Sequence, residues 1–142
     1  MTTQTPTQAD TAATLLRVAS GVLFVAHGWM KISVFTIPGT VAFFDSMGLP
    51  AIAAYLTILA EIGGGLLLIA GVAVRLVSLP LIAVLLGATW AHAGNGWSFS
   101  GEDGGWEYPL FWAIAQVAIA LLGAGAYALR IPALQKTLGQ FA

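Results

Sequence analysis

The chain has 142 residues and a net charge of −1; 58% are apolar, 8% are charged, and the mean hydropathy is +0.89. A soluble domain carries about 25% charged residues, so the composition excludes an ordinary cytosolic domain, a nucleic-acid binder with a basic face and a disordered chain. It predicts a small integral membrane protein whose main partner is the lipid bilayer.

Residues 1–12 read as a disordered polar tail, because Met1 to Asp10 hold no Lys or Arg and show no signal-peptide pattern. A helix needs about 20 mostly apolar residues to cross the hydrocarbon core. Four segments meet that need, over 13–35, 51–74, 76–93 and 108–129. The expected fold is therefore all-α, an integral membrane four-helix bundle over 13–130, followed by a short cytoplasmic tail over 131–142. Segment 36–50 holds Val41, Phe43, Phe44 and Met47 but is too short to cross, which predicts an interfacial or re-entrant helix between spans one and two. The second and third spans form a hairpin with a very tight link at Val74 to Leu76. Segment 94–107 is Gly-rich, acidic and aromatic, as an extramembrane loop would be. Its acids Glu102, Asp103 and Glu107 match no EF-hand spacing and read as a solvated cluster.

Cysteine is absent. That removes disulfides, thiolate zinc and iron–sulfur sites, covalent haem attachment and an intrinsic thiol relay, so any redox role needs a bound cofactor or a partner redox protein. Basic residues set the topology: Arg17, Arg75, Arg130 and Lys136 fall on one side of the four spans, and Lys31 alone towards the other. Positive charge marks the cytoplasmic face, which places both termini there. Trp29, Trp90, Trp97, Trp106 and Tyr108 then gather near the outer interface as an aromatic belt.

Ionisable groups inside a span cost about 2.5–3.5 kcal/mol each, so each asks for a partner or a task. Arg17 and Arg75 are expected to snorkel to the inner interface. Glu61 lies too deep for that. Glu61, Lys31 and Gln116 each lie about 21 Å along a helix from an arginine marker (Arg75, Arg17 and Arg130), with His92 about 24 Å up and His27 about 15 Å. These depths predict one polar layer in the outer half of the membrane. On the first span Arg17, Gly21, Phe24, Gly28 and Lys31 share a stripe with His27 at its margin; on the second, Glu61, Gly64, Gly65, Leu68 and Arg75 do. Glycine-rich stripes let transmembrane helices approach closely, so both should face inwards and bring Glu61 opposite Lys31 or His27.

Two readings of this layer stand side by side. It is an internal network that fixes helix register, or a polar pocket open to the outer side. In the second reading Glu61, with His27 and Lys31, is a candidate proton site. His27 and His92 could hydrogen-bond a quinone carbonyl or ligate a metal or haem iron. Two lone histidines on separate spans fall short of a haem signature, and no metal site is expected. His92, Gln116, Arg17 and Arg75 are candidate quinone or network contacts.

These residues also carry a family likeness. Arg17-Val18-Ala19-Ser20-Gly21 leads to Phe24 and His27-Gly28-Trp29-Met30-Lys31. Ala60-Glu61-Ile62-Gly63-Gly64-Gly65 follows with Leu68, Gly71 and Arg75, then His92, Glu107-Tyr108-Pro109 and Gly123-Ala124-Gly125. With these elements the chain resembles the DoxX family of small four-helix membrane proteins over roughly 16–129. It departs where the family often has a Ser and an Asp, since Ala128 and Arg130 stand there. The resemblance implies a bacterial inner-membrane protein linked to redox chemistry, for the family is named after a subunit of thiosulfate:quinone oxidoreductase and has members tied to oxidative-stress or thiol-redox complexes. The expected function is thus a quinone-linked redox subunit or accessory of an oxidoreductase, with quinone as ligand and redox proteins or a second copy as partners. The alternatives are a proton-coupled transporter or channel for a small solute, motivated by the lone membrane carboxylate, and a structural or assembly partner.

Overall fold

The first helix begins earlier than the polar composition of its start suggests. In the computed structural model, which describes residues 5–139, α1 runs Gln8–Ser33. The Thr7 hydroxyl accepts from the Asp10 N–H at 3.1 Å, and the Asp10 carboxylate accepts from the Thr7 N–H at 3.0 Å. This capping box satisfies two otherwise orphaned donors, so residues 8–12 are helical and not a disordered tail. The expectation for residues 1–4 lies outside the described residues, as do residues 140–142.

Helix α2 (Ile37–Ser46) is the expected short helix after the first span. The Thr40 hydroxyl donates to the Lys31 carbonyl at 2.9 Å and holds α2 beside the end of α1. Helix α3 (Ala51–Ala70) is the second span, and α4 (Val74–Ala91) the third. The second span was expected to continue to Val74. It stops at Ala70 because Gly71 adopts a left-handed φ of 76°, and the Val72 N–H turns back to the Leu67 carbonyl. Arg75 therefore sits in α4 and does not share the stripe of Glu61, Gly65 and Leu68.

The fourth span is shorter than its hydropathy suggests. Helix α5 covers Glu107–Leu122, about 24 Å of rise, and ends where Gly123 takes a φ of 81°. Residues 123–131 are non-helical and lead to a short helix α6, Pro132–Leu138. No strand occurs among the described residues.

Three helices are long and apolar enough to cross a membrane, and α5 is the shorter apolar fourth. Phe24, Leu68, Leu81 and Ile119 are buried where α1, α3, α4 and α5 meet. Leu15, Val22, Leu66, Leu79, Ile114 and Leu121 stay exposed on the outside. In water that apolar exterior would be a liability; against lipid chains it is the expected surface of an integral membrane protein. The seam between α1 and α3 is glycine on glycine. A Cβ added at Gly21 would lie 2.7 Å from the Gly65 carbonyl, and one at Gly65 would lie 2.7 Å from the Gly21 carbonyl. The helices approach until their backbones touch, as small residues permit.

Candidate functional site

Polar residues inside the bundle fall into two groups, and the structure separates what the depth argument put in one layer. The inner group is built on Arg17, which is 1% exposed. Its Nε donates to the Ala124 carbonyl at 2.7 Å, and Nη1 to Leu68 and Ile69 at 2.7 and 2.6 Å. Nη2 donates to Ala126 and Tyr127 at 3.2 and 3.4 Å. A guanidinium has five N–H donors, and here each meets a backbone carbonyl. Leu68 and Ile69 lie in the last turn of α3, which carries the negative end of the helix dipole; the Leu68 carbonyl also accepts from the Gly71 N–H at 3.0 Å. Arg17 thus does not snorkel; it closes the end of α3 and holds the 123–131 segment, with no donor left for a ligand. Arg75 acts alike at the end of α5, donating to the Leu121 carbonyl at 3.5 Å.

Gln116 belongs to this inner group too. It is fully buried within a directed chain: Trp112 Nε1 donates to Ser20 at 2.8 Å, Ser20 to Gln116 Oε1 at 2.7 Å, Gln116 Nε2 to Ser78 at 2.8 Å, and Ser78 to the Val74 carbonyl at 2.7 Å. The expected level with Glu61 fails for a simple reason. Arg130 is not on the fourth helix, so it does not mark the depth of Gln116.

The outer group is the pair Glu61 and Lys31. Glu61 sits in a π-helical turn, Ala60–Gly64, inside α3, and is 4% exposed. Such turns add a residue to the helical path and are frequent at functional sites. Lys31, at the end of α1, donates from Nζ to Glu61 Oε1 at 2.8 Å, with a fifth of its side chain (21%) exposed. The other oxygen, Oε2, is buried and has no hydrogen-bond partner among the described residues. A carboxylate oxygen stranded this way costs free energy unless a donor reaches it.

Lys31, Glu61, His27 and His92 line one cavity of about 320 Å³, so four of the predicted residues come together. His27 Nδ1 lies 2.8 Å from the Leu23 carbonyl, and His92 Nδ1 lies 3.1 Å from the Gly104 carbonyl. His92 Nδ1 also lies 3.3 Å from the Asn95 amide nitrogen, a donor, so its two neighbours ask for opposite tautomers; the Leu23 carbonyl beside His27 Nδ1 only accepts, which puts the His27 proton on Nδ1. In the neutral ring Nε2 then carries the lone pair, the orientation in which imidazoles usually present themselves to a ligand. No group of three or more His, Asp or Glu among the described residues is placed to hold a metal ion.

Sequence reasoning missed the aromatic wall of this cavity. Trp112 stacks obliquely on Phe24 and His27 at 4.4 and 5.2 Å, and Tyr108 lies 5.8 Å from Trp112 and 5.3 Å from Phe99. Phe99 comes from the Gly-rich loop, which folds down over the cavity. The Phe99 N–H donates to the Glu107 carboxylate at 2.8 Å, and Asn95 donates to the Asp103 carbonyl at 3.0 Å. Glu102 and Asp103 are exposed as a solvated cluster would be, but Glu107 is half-buried and pins the loop. The local signal was present: a tyrosine and a tryptophan one helical turn apart on α5 share a face.

The comparisons with known proteins agree with this architecture. The DoxX family model matches residues 12–94, more than half of the chain and the stretch that carries Arg17, His27, Lys31, Glu61 and His92. CatD of Bacillus subtilis (strain 168), provisionally named an oxidoreductase, is 40% identical over 74 residues, which are 52% of this chain and about half (54%) of CatD. The inner membrane protein YqjF of Escherichia coli (strain K12) is 29% identical over 129 residues, 84% of this chain and 90% of YqjF. No solved structure matches. The chain belongs to the DoxX family.

Proposed function

We propose that the protein is a quinone-linked redox subunit or accessory of an oxidoreductase system in the bacterial inner membrane, and that the cavity at Glu61 is its working site. The observation that carries this reading is Glu61 Oε2, a buried carboxylate oxygen without a partner beside an aromatic-walled cavity. A polar atom kept in that state at a cost of stability supports a ligand site more than a register device. Tyr108 and Trp112 offer aromatic faces against which a flat ring can pack, with Lys31 and the two imidazoles within the same walls. A quinone bound there would supply two-electron chemistry, while this chain contributes binding, orientation and a proton-accepting carboxylate at Glu61. Electrons would pass to a partner redox protein, since the chain has no cysteine of its own. The name of CatD supports the redox part and that of YqjF the inner membrane.

The experiment is a titration of the purified protein in lipid nanodiscs with decylubiquinone and its reduced form. Saturable binding of at least one form is expected, weakened about tenfold or more in Glu61→Gln. Absence of binding by both forms overturns the reading. The orientation, with both termini cytoplasmic, rests on Arg17, Arg75, Arg130 and Lys136. A fluorescent protein fused at the C-terminus should light up, and a periplasmic reporter there should stay inactive.

A second reading, a proton-coupled carrier, draws on the same carboxylate. Below the ion pair the bundle is filled by Phe24, Leu68 and Leu81, all 0% exposed, so a solute path would have to open there. Proton flux with solute in proteoliposomes, lost in Glu61→Gln, would favour it over the first.

A further inference from the structure

Two openings meet at the Glu61–Lys31 pair. One is the cavity beneath the loop. The other is a groove of about 430 Å³ lined by Phe43 and Phe44 of α2, Met47, Leu49, Leu56 of α3 and Gly87 of α4. Lys31, Glu61 and His92 border both. Cavity and groove thus share one polar junction, with an aromatic compartment on one side and an apolar trough on the other.

Glu61 Oε2 accepts nothing among the described residues. Lys31 Nζ gives one of its three N–H donors to Oε1. The Nδ1 of His27 is held by a carbonyl, which leaves its Nε2 as a lone pair in the neutral ring. A head group that completes Oε2 and the His27 Nε2 must bring hydrogen-bond donors, as the hydroxyls of a reduced ring do. One that brings only carbonyl oxygens can accept from the other Lys31 N–H groups but leaves Oε2 stranded. The apolar groove beside it has the character of a site for hydrocarbon.

Resting on the quinone-linked reading above, we propose that cavity and groove form a single amphiphile site selective for the reduced, hydroquinone form. The ring hydroxyls donate to Glu61 Oε2 and to an imidazole Nε2, and the hydrocarbon tail lies in the groove between α2 and α4, entered sideways from the bilayer.

Gly87 makes the tail route testable, because a Cβ there meets nothing within 4 Å. Gly87→Leu puts bulk into the groove from a Cβ position that is open, and replaces a poor helix former with a good one. The protein in phosphatidylcholine nanodiscs is titrated anaerobically with decylubiquinol, decylubiquinone and tailless dimethoxy-methylhydroquinone, reading tryptophan quenching. Decylubiquinol is expected to bind about tenfold tighter than decylubiquinone, the scale of one hydrogen bond to a charged group. Glu61→Gln puts an amide donor where an acceptor stood, and should cancel or reverse that preference. Gly87→Leu should weaken both decyl compounds about tenfold and leave the tailless compound unchanged. Equal affinity for the two redox forms, or tighter decylubiquinone, overturns the selectivity. A Gly87→Leu effect that is absent, or as large on the tailless compound, overturns the tail route. If none of the three compounds binds, the quinone-linked reading itself falls and takes this one with it.

Discussion

The two polar groups of the bundle differ in one respect that separates structure from function. Around Arg17 and Gln116 every donor atom has an acceptor: five N–H groups on five carbonyls, and a chain of four hydrogen bonds that ends on the Val74 carbonyl. Around Glu61 the account stays open, with one carboxylate oxygen and the His27 Nε2 unfilled. Both groups are buried, and both use residue types that are expensive in a membrane. The closed network holds helices and a non-helical segment in place, whereas the open one is shaped for something that comes and goes.

Breaking the closed network should have the largest effect. Arg17→Leu takes the donor from the Ala124 and Ile69 carbonyls, at roughly 1–3 kcal/mol for each one left buried without a donor, while Leu68 keeps the Gly71 N–H and Ala126 the Thr14 hydroxyl. Loss of folded protein is expected, seen as early aggregation in detergent thermal scans and low abundance in membranes. Lys31→Met comes next. It leaves Glu61 alone, at the lower end of the roughly 3–5 kcal/mol seen for broken buried pairs, because Lys31 is a fifth exposed. The double variant Lys31→Met with Glu61→Gln should recover much of that loss, and a thermal-shift cycle measures the recovery. Gln116→Leu follows, at about 1–2 kcal/mol for interhelical hydrogen bonds in a membrane. It should lower the melting temperature and leave ligand affinity unchanged. Glu61→Gln should have the smallest stability effect of the series and the largest effect on ligand binding. If Glu61→Gln destabilised the protein as much as Gln116→Leu and left every ligand unaffected, the contrast between the two groups would collapse.

Much of this was legible in the residues. The stripe from Arg17 to Lys31 faces inwards, the Gly21–Gly65 seam is where small residues predicted a close approach, and Glu61 meets Lys31. Periodicity and spacing suffice for those inferences because they depend only on a regular helix. What was not legible depends on where helices stop. Gly71 and Gly123 take left-handed φ values inside runs that hydropathy reads as continuous, so Arg75 and Arg130, the depth markers for Glu61 and Gln116, lie beyond the ends of the helices they were to measure. The error propagated to Gln116, whose depth was counted from Arg130. Arg17 was misread for another reason. Snorkelling treats an arginine as facing water or lipid, and the cluster of carbonyls at the end of α3 exists only once the helix has been broken. The descent of Phe99 onto the cavity is a loop contact with no periodic signature at all.

The π-helical turn at Ala60–Gly64 carries a consequence for how the site can be tuned. It lets α3 hold one residue more than a regular helix between the same end points would. Winding that turn as ordinary α-helix, with every residue kept, would rotate Ala51–Leu59 by about 100° relative to Gly65–Ala70. Leu56 and Thr57, which now border the groove, would swing to a different side, while Gly65 kept its place against Gly21. The wall of the groove and the seam of the bundle therefore lie on one helix but answer to separate phases. A change in how one turn is wound would redraw the trough without unzipping the molecule.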